Sequence, residues 1–458
     1  MRYVSSRGQA AELGFADVLL AGLADDGGLY VPATWPVLPD LTGLHDYADI
    51  AAAVIAPYVA PDLSSDTLSA LCHDAASAFR HPAVVPLVQI DERQWLLELF
   101  HGPTLAFKDL ALQLVGRMFD HVLAERGQRI TIVGATSGDT GSAAIDAVKD
   151  CENIDIVILY PAGRTSDVQR RQMTTVDSPN VHTIAIEGNF DDCQDLVKAM
   201  FGDTEFRDQL QLSAVNSINW ARVMAQIVYY ASASQTFAEA PTFCVPTGNF
   251  GNILSGWIAR RTGAPIHDFI VASNSNDILT RLINDGEMSI RDVIPTLSPS
   301  MDIQVSSNFE RLLFEMNRRD GGLTAEQLGR FRTSGRLQLE ADQRADFIDG
   351  SFRAAKFDDE QTLDEIGTVY ADTGLLIDPH TATGTAAARA LGGDRPVITL
   401  STAHPAKFPD AVERGTGVRP PLPAHLSDLF ERPERTHQLP NDLATVQGFV
   451  RSVARVIA

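Results

Sequence analysis

Residues 129–148, RITIVGATSGDTGSAAIDAV, decide the fold class. The β-branched run Ile130–Val133 predicts a strand, the Gly, Ser and Thr residues after it predict a tight loop, and the apolar residues of Ser142–Lys149 recur at helical spacing. The same cadence repeats in both directions along the chain. Strands are predicted at Trp95–Phe100, Ile156–Tyr160, His182–Ile186, Thr242–Val245, Phe269–Ala272 and Val397–Leu400, with helices such as Leu110–Ala124 and Ile253–Arg261 among them. Short apolar strands alternating with amphipathic helices build parallel sheets covered by helices, so the class is α/β.

The two ends have a different texture. Residues 1–90 begin with Pro-rich stretches such as VPATWPVLPD and read as a separate small domain. Two α/β domains are expected to follow, over 91–235 and 236–415, because 458 residues exceed one ordinary core and leave room for a cleft. Near 318–357 charged residues concentrate without strand signals, and a mostly helical insertion is expected there. The tail, 416–458, contains RPPLPAHLSDLFERPERTHQLP and is expected to cross the surface in extended form before a last short helix.

A net charge of −22 argues against a surface built to grip phosphate backbones, so nucleic acid is not an expected partner. An acidic chain can still hold a small anion where a few cations and N–H groups converge. Cys72, Cys151, Cys193 and Cys244 lie far apart, which indicates neither a metal cluster nor a disulfide framework. No stretch approaches the ~18 apolar residues that span a bilayer, and the amino terminus has no apolar core of a leader, so a cytoplasmic protein is expected.

Four segments follow predicted strands, where open α/β sheets place their ligands. In ELFHGPTLAFKDLALQLVG, residues 98–116, Lys108 opens a predicted helix. The helix dipole is already positive there, which lowers an amine's pKa, and a neutral amine is what condenses with an aldehyde. The apolar Leu105, Ala106 and Phe107 imply partial burial; the plain alternative is a solvated surface lysine. The loop of 129–148 offers N–H groups and hydroxyls to an anion, yet taken alone it reads equally well as a turn. It is neither a Walker loop nor a dinucleotide fingerprint. In TFCVPTGNFGNILSGWIAR, residues 242–260, Gly248, Asn249, Phe250, Gly251 and Asn252 form a second candidate anion cradle, with glycines that permit close backbone approach. Two cradles suggest two phosphates, one on a cofactor and one on a substrate. The fourth segment, VITLSTAHPAKF, residues 397–408, brings Ser401, Thr402, His404 and Lys407; His404 reads more readily as structural than catalytic, and Lys407 is a candidate phosphate cation.

Together these segments resemble the threonine synthase family, in its bacterial and fungal branch. HGPTLAFKD is similar to that family's lysine motif, SGDTG and PTGNFG to its glycine loops, and TAHPAKF to its closing motif. RYVSSRG, GLADDGGLYVP and SAVNSINWARV match further segments, and the likeness runs from about Tyr3 to Asp410. The resemblance implies fold type II of the pyridoxal-phosphate (PLP) enzymes, the tryptophan synthase β-like fold, with two open α/β sheet domains, the cofactor in the cleft, and an added N-terminal domain. It implies that Lys108 holds the cofactor as a Schiff base, that Gly248, Asn249, Phe250, Gly251 and Asn252 bind its phosphate, and that Thr402 faces the pyridine nitrogen. Many relatives of the wider fold type carry Asn where this chain has Asp139, although SGDTG is usual in this branch.

The reaction so implied turns O-phospho-L-homoserine and water into L-threonine and phosphate, without a metal. Lys108 would move protons at Cα and Cβ, phosphate would leave Cγ, and water would add at Cβ. Candidates for the substrate are Ser137, Asp139, Thr140, Asn216, Ser217, Arg222 and Lys407; Arg222 reads equally well as a helix-face salt bridge. The competing readings are a phospholyase or dehydratase of the same fold that yields 2-oxobutanoate, and a noncatalytic sensor of phosphorylated ligands. The resemblance also implies a monomer.

Overall fold

In the computed structural model, residues 1–136, 138–214 and 217–456 are described. Two sheets organise the chain. The larger has six strands in the order Phe352–Lys356, Phe269–Ser273, Thr242–Pro246, Val397–Ser401, Gln94–Glu98 and Leu87–Gln89. All its neighbours are parallel except the last pair. The smaller has five parallel strands, ordered His437–Leu439, Val181–Ile186, Ile154–Pro161, Ile130–Ala135 and Leu212–Ser213. Ile154–Pro161 is buried along its whole length, as an internal parallel strand covered on both faces must be.

Helices Lys108–Arg126 and Trp220–Ser234 lie side by side between the sheets and carry much of the shared core. The N-terminal part packs against the second of these. Trp220 donates its indole N–H to the Tyr3 hydroxyl at 3.0 Å, which in turn donates to the Tyr58 carbonyl at 2.7 Å. Asn219 donates to the Leu19 carbonyl at 3.0 Å and caps the helix by accepting the Ala221 N–H. The first turn of Trp220–Ser234 is thereby fixed by residues 1–60, which explains how a peripheral domain positions Arg222 one turn into that helix.

The stretch 318–357 is largely helical, as expected, in Gly321–Ser334 and again over 341–348, but it also contains two unexpected strands. Arg336–Gln338 pairs antiparallel with Glu287–Ser289, and Phe352–Lys356 forms the edge of the larger sheet. The alternation in FRAAK was present: Phe352 and Ala354 are buried while Arg353 and Ala355 are half-exposed. The charged residues around it mask that short signal, and edge strands tolerate charge on the open face. Similarly, the tail is extended after Gly417, yet His437–Leu439 adds a strand to the smaller sheet before the last helix, Leu443–Val453. No helix among the described residues is long and apolar enough to cross a membrane.

Candidate active site

The loops that leave the carboxyl ends of strands from both sheets converge on Lys108. Its approach is set by backbone. Leu105 takes a left-handed turn at φ 64°, Ala106 bridges Ala403, Phe107 donates its N–H to the Thr402 carbonyl at 2.9 Å, and His404 donates its N–H to the Leu105 carbonyl at 3.0 Å. The lysine motif and the closing motif thus form one strap. Lys108 leaves it as the first residue of helix Lys108–Arg126, at the positive pole.

The amine of Lys108 is nearly buried. Burial, aided by the positive charges of Lys407 and Arg222 and opposed by Asp139, lowers its pKa to about 8. Its polar neighbours are the Ser300 hydroxyl, which accepts from Nζ at 3.4 Å, and Asp139 Oδ2 at 3.7 Å. Ser300 donates its own proton to Asp139 Oδ2 at 3.1 Å. The other carboxylate oxygen of Asp139 faces Lys407 Nζ at 2.9 Å and accepts from Gln169 Nε2 at 2.8 Å. Burial alone would push this carboxyl up, but Lys407 and Lys108 hold it well below the usual carboxylate range. Asp139 is a permanent anion between two lysines.

The two candidate phosphate cations are placed very differently. Lys407 is fully buried, and besides Asp139 it donates to the Thr104 carbonyl at 2.7 Å and to Gln172 Oε1 at 3.1 Å. Three partners use its three N–H groups. Arg222 is also buried, yet its Nε and Nη1 have no hydrogen-bond partner among the described residues. Burial pushes its pKa down to about 10. The alternative reading of Arg222, a helix-face salt bridge, finds no counterpart among the described residues, which leaves a cation close enough to depress Lys108.

The 248–252 loop opens helix Gly251–Thr262. Its N-cap, Phe250, is left-handed at φ 63° and supplies no side-chain cap, so the first-turn N–H groups are not capped by a side chain. A Cβ at Gly248 would stand 2.7 Å from the Ser300 carbonyl oxygen, so the position admits only glycine without movement. Asn252 Oδ1 accepts from Tyr229 at 2.6 Å and Tyr230 at 2.9 Å, which aims the amide and leaves its buried Nδ2 without a partner among the described residues. Asn249 is tied through its carbonyl to the Asn308 N–H. Uncapped N–H groups, an orphaned donor and a glycine with no room for a side chain suit an anion, and a lysine amine of lowered pKa suits an aldehyde. The residues present therefore fit PLP.

Thr402 is buried beside Ser401. Thr140 is half-buried in the first turn of helix Asp139–Val148, and Ser217 is half-buried with its carbonyl accepting from Asn308 Nδ2 at 3.0 Å. Ser137 and Asn216 lie outside the described residues. His404 is structural: its ring caps the Ala406 N–H at 3.1 Å, and burial with the neighbouring His101 lowers its pKa to about 4. The residues that the sequence reading did not single out are Ser300, Thr104, Gln169 and Gln172. Thr104 lies within the lysine motif but acts through its backbone carbonyl, and Ser300, Gln169 and Gln172 lie in no quoted motif, so only the fold reveals them.

An open, mostly parallel pair of sheets with a depressed lysine between two glycine loops defines a PLP-dependent enzyme, and residues 80–330 match the family described as "Pyridoxal-phosphate dependent enzyme". Residues 2–76 match "Threonine synthase N terminus" and residues 381–450 match "Threonine synthase, C-terminal". The threonine synthase of Pseudomonas aeruginosa is 53% identical over 98% of both chains. The PLP-bound threonine synthase of Brucella melitensis superposes with a TM-score of 0.97 at 49% identity, covering 100% of both chains, and the yeast enzyme with 0.93 at 37%, covering 99% of this chain and 98% of that one. The chain belongs to the threonine synthase family.

Proposed function

We propose that this chain converts O-phospho-L-homoserine and water to L-threonine and inorganic phosphate, with PLP carried on Lys108. The observation that carries this reading is the pairing of a buried lysine amine, held by Ser300 and Asp139 with its pKa lowered to about 8, with a buried guanidinium, Arg222, that acts on it through its charge and has no hydrogen-bond partner for Nε and Nη1 among the described residues. PLP, when bound, supplies the electron sink that makes protons on the amino-acid carbons removable.

The 248–252 loop and Asn252 Nδ2 would hold the cofactor phosphate, and Thr402 would offer the cofactor a hydroxyl rather than a carboxylate. Lys108 takes protons from the substrate's Cα and Cβ, and protons are returned at Cγ, once phosphate has left it, and at Cα; its lowered pKa makes the neutral base available near neutral pH. Arg222 receives the substrate phosphate, and its two unpartnered nitrogens, Nε and Nη1, reward a dianion more than any neutral group. Ser137, Thr140, Asn216 and Ser217 complete that subsite. Lys407 acts through its charge and through Asp139, since all three of its N–H groups are already donated; direct contact with phosphate requires it to release one of them. Water enters at Cβ once phosphate has left Cγ. The enzyme acts as a cytoplasmic monomer.

The test is an assay of purified protein with O-phospho-L-homoserine. Equimolar threonine and phosphate are expected; 2-oxobutanoate with phosphate and no threonine would replace this reading with that of a phospholyase.

A further inference from the structure

Ser300 lies in a short turn, Pro299–Met301, far in sequence from every motif of the site. Its hydroxyl touches both Lys108 and Asp139, and its carbonyl lies over Gly248. Something must hold this turn in place, and the turn itself has no side-chain cap. Its backbone N–H donates to His380 Nε2 at 3.3 Å. An N–H can donate only to a ring nitrogen that bears a lone pair, so the proton of this imidazole sits on Nδ1, which faces Asp378 Oδ1 at 2.8 Å.

Asp378 is an unusually rigid acceptor. It is completely buried and caps helix Pro379–Leu391 by accepting the N–H groups of His380 at 2.9 Å and Thr381 at 3.2 Å, along with the Thr381 hydroxyl. Thr381 also contacts the Ser401 hydroxyl at 3.0 Å, at the end of the strand that leads to Thr402. The His380 ring packs edge-on against Phe408 at 4.9 Å. The line Asp378, His380, Ser300, Lys108 therefore runs from the core of the larger sheet to the reactive amine.

We propose that Ser300 directs the Lys108 amine by accepting one of its N–H groups, and that His380 is the positioning residue that fixes Ser300. This rests on the reading of Lys108 as the cofactor lysine and acting base. A neutral amine has two N–H groups and one lone pair, so its base direction is set by where its hydrogens go. With one N–H donated to Ser300 Oγ and the Asp139 carboxylate 3.7 Å away on that same side, the lone pair is left for the substrate carbon. Ser300 can serve only as acceptor towards Lys108, because its own proton is committed to Asp139. His380 never touches the reacting atoms; it acts by holding the turn.

The test compares Ser300→Ala, His380→Leu, the double variant and Ser300→Thr. Two quantities are read: kcat and KM for O-phospho-L-homoserine, and, in cofactor-free protein, the rate at which added PLP is captured, followed by absorbance. Ser300→Ala is expected to lower kcat and the capture rate by roughly 10- to 100-fold with little change in KM, as loss of a hydrogen bond to a reacting group does. Ser300→Thr, which keeps the hydroxyl, restores most of both. The double variant is expected to be no slower than Ser300→Ala alone, because a residue acting through another adds nothing once that other is gone. Wild-type rates in Ser300→Ala, or losses that multiply in the double variant, would overturn the proposal. Should His380→Leu fail to fold, the Ala and Thr variants of Ser300 still decide the role of the hydroxyl. Borohydride reduction and peptide mapping of wild-type protein separate the two readings. No label on Lys108 overturns the premise, whereas a label on Lys108 with an unaffected Ser300→Ala overturns only this proposal.

Discussion

The two glycine loops look alike in sequence and differ in what they have left to give. In the loop before helix Asp139–Val148, Thr136 Oγ1 accepts the N–H groups of Gly138 at 3.0 Å and Gly141 at 2.9 Å, and the carboxylate of Asp139 is already matched to two lysines and Gln169. In the loop before helix Gly251–Thr262, no side chain caps the turn and Asn252 Nδ2 is orphaned. In the first loop Gly138, Gly141 and Asp139 have spent their polarity on the protein itself. The second keeps donors in reserve at a helix's positive end, which is the condition for binding an external phosphate. The difference teaches that a glycine loop is a cradle only if its donors are unspent, a property of the tertiary environment.

The largest effect should come from attacking that reserve. Gly248→Asp brings a Cβ to 2.7 Å from the Ser300 carbonyl oxygen and adds a negative charge beside a site for a phosphate. We expect PLP retention, measured by absorbance after gel filtration, to be abolished while the fold survives. Gly138→Ala is the matching change in the spent loop: its Cβ would meet the Gln169 side chain at 2.6 Å, and φ is +148°. That variant should keep PLP and lose turnover, because it displaces Gln169 and through it Asp139. Equal PLP loss in both variants would erase the distinction between the loops.

The next contrast concerns the two buried cations, where stability and activity should move in opposite senses. Lys407→Met leaves Asp139 without its closest cation and Gln172 Oε1 with an unmet acceptor, while the Thr104 carbonyl keeps its bond from Gln172 Nε2; breaking such a buried pair costs about 3–5 kcal/mol. Arg222→Met removes a buried charge that has no partner, so the fold should be as stable as wild type or more so. Yet kcat/KM for O-phospho-L-homoserine should fall roughly 10- to 100-fold or more, with loss of a charge-assisted contact to the substrate phosphate. Thermal denaturation and steady-state kinetics on the same two preparations check this. A stabilised Lys407→Met, or an Arg222→Met enzyme with unchanged kcat/KM, would require the cations to exchange roles.

This pair also shows where the sequence is legible. The α/β class, the strand-loop-helix cadence and Lys108 at a helix start were visible, because periodicity and helix-terminus electrostatics act over a few residues. The strand Phe352–Lys356 was missed because its alternation spans five residues amid charged neighbours. Whether Arg222 or Lys407 is satisfied depends on Thr104, Gln172 and Asp139, which come from other segments, so no local pattern could rank them. Ser300 and His380 are 80 positions apart, and Ser300 and Lys108 are 192 apart, so both contacts arise only in the fold.

The smallest and most diagnostic effect is a shift of pH. Lys108 has its pKa lowered to about 8 by burial and by the nearby cations, while Asp139 opposes that change. The protonated amine cannot attack an aldehyde, so capture of PLP by cofactor-free protein should rise with pH and level off above about 8, well below the range of an ordinary lysine. Asp139→Asn removes the one group that favours the charged amine. The Lys108 pKa should then fall further, and the pH midpoint of capture should move to lower pH. The same substitution should slow turnover at every pH, because Ser300 and Lys108 lose a shared acceptor. A midpoint that moves upward would mean that Asp139 does not act on Lys108 through its charge, and the spent loop would then be a structural turn that only borders the site.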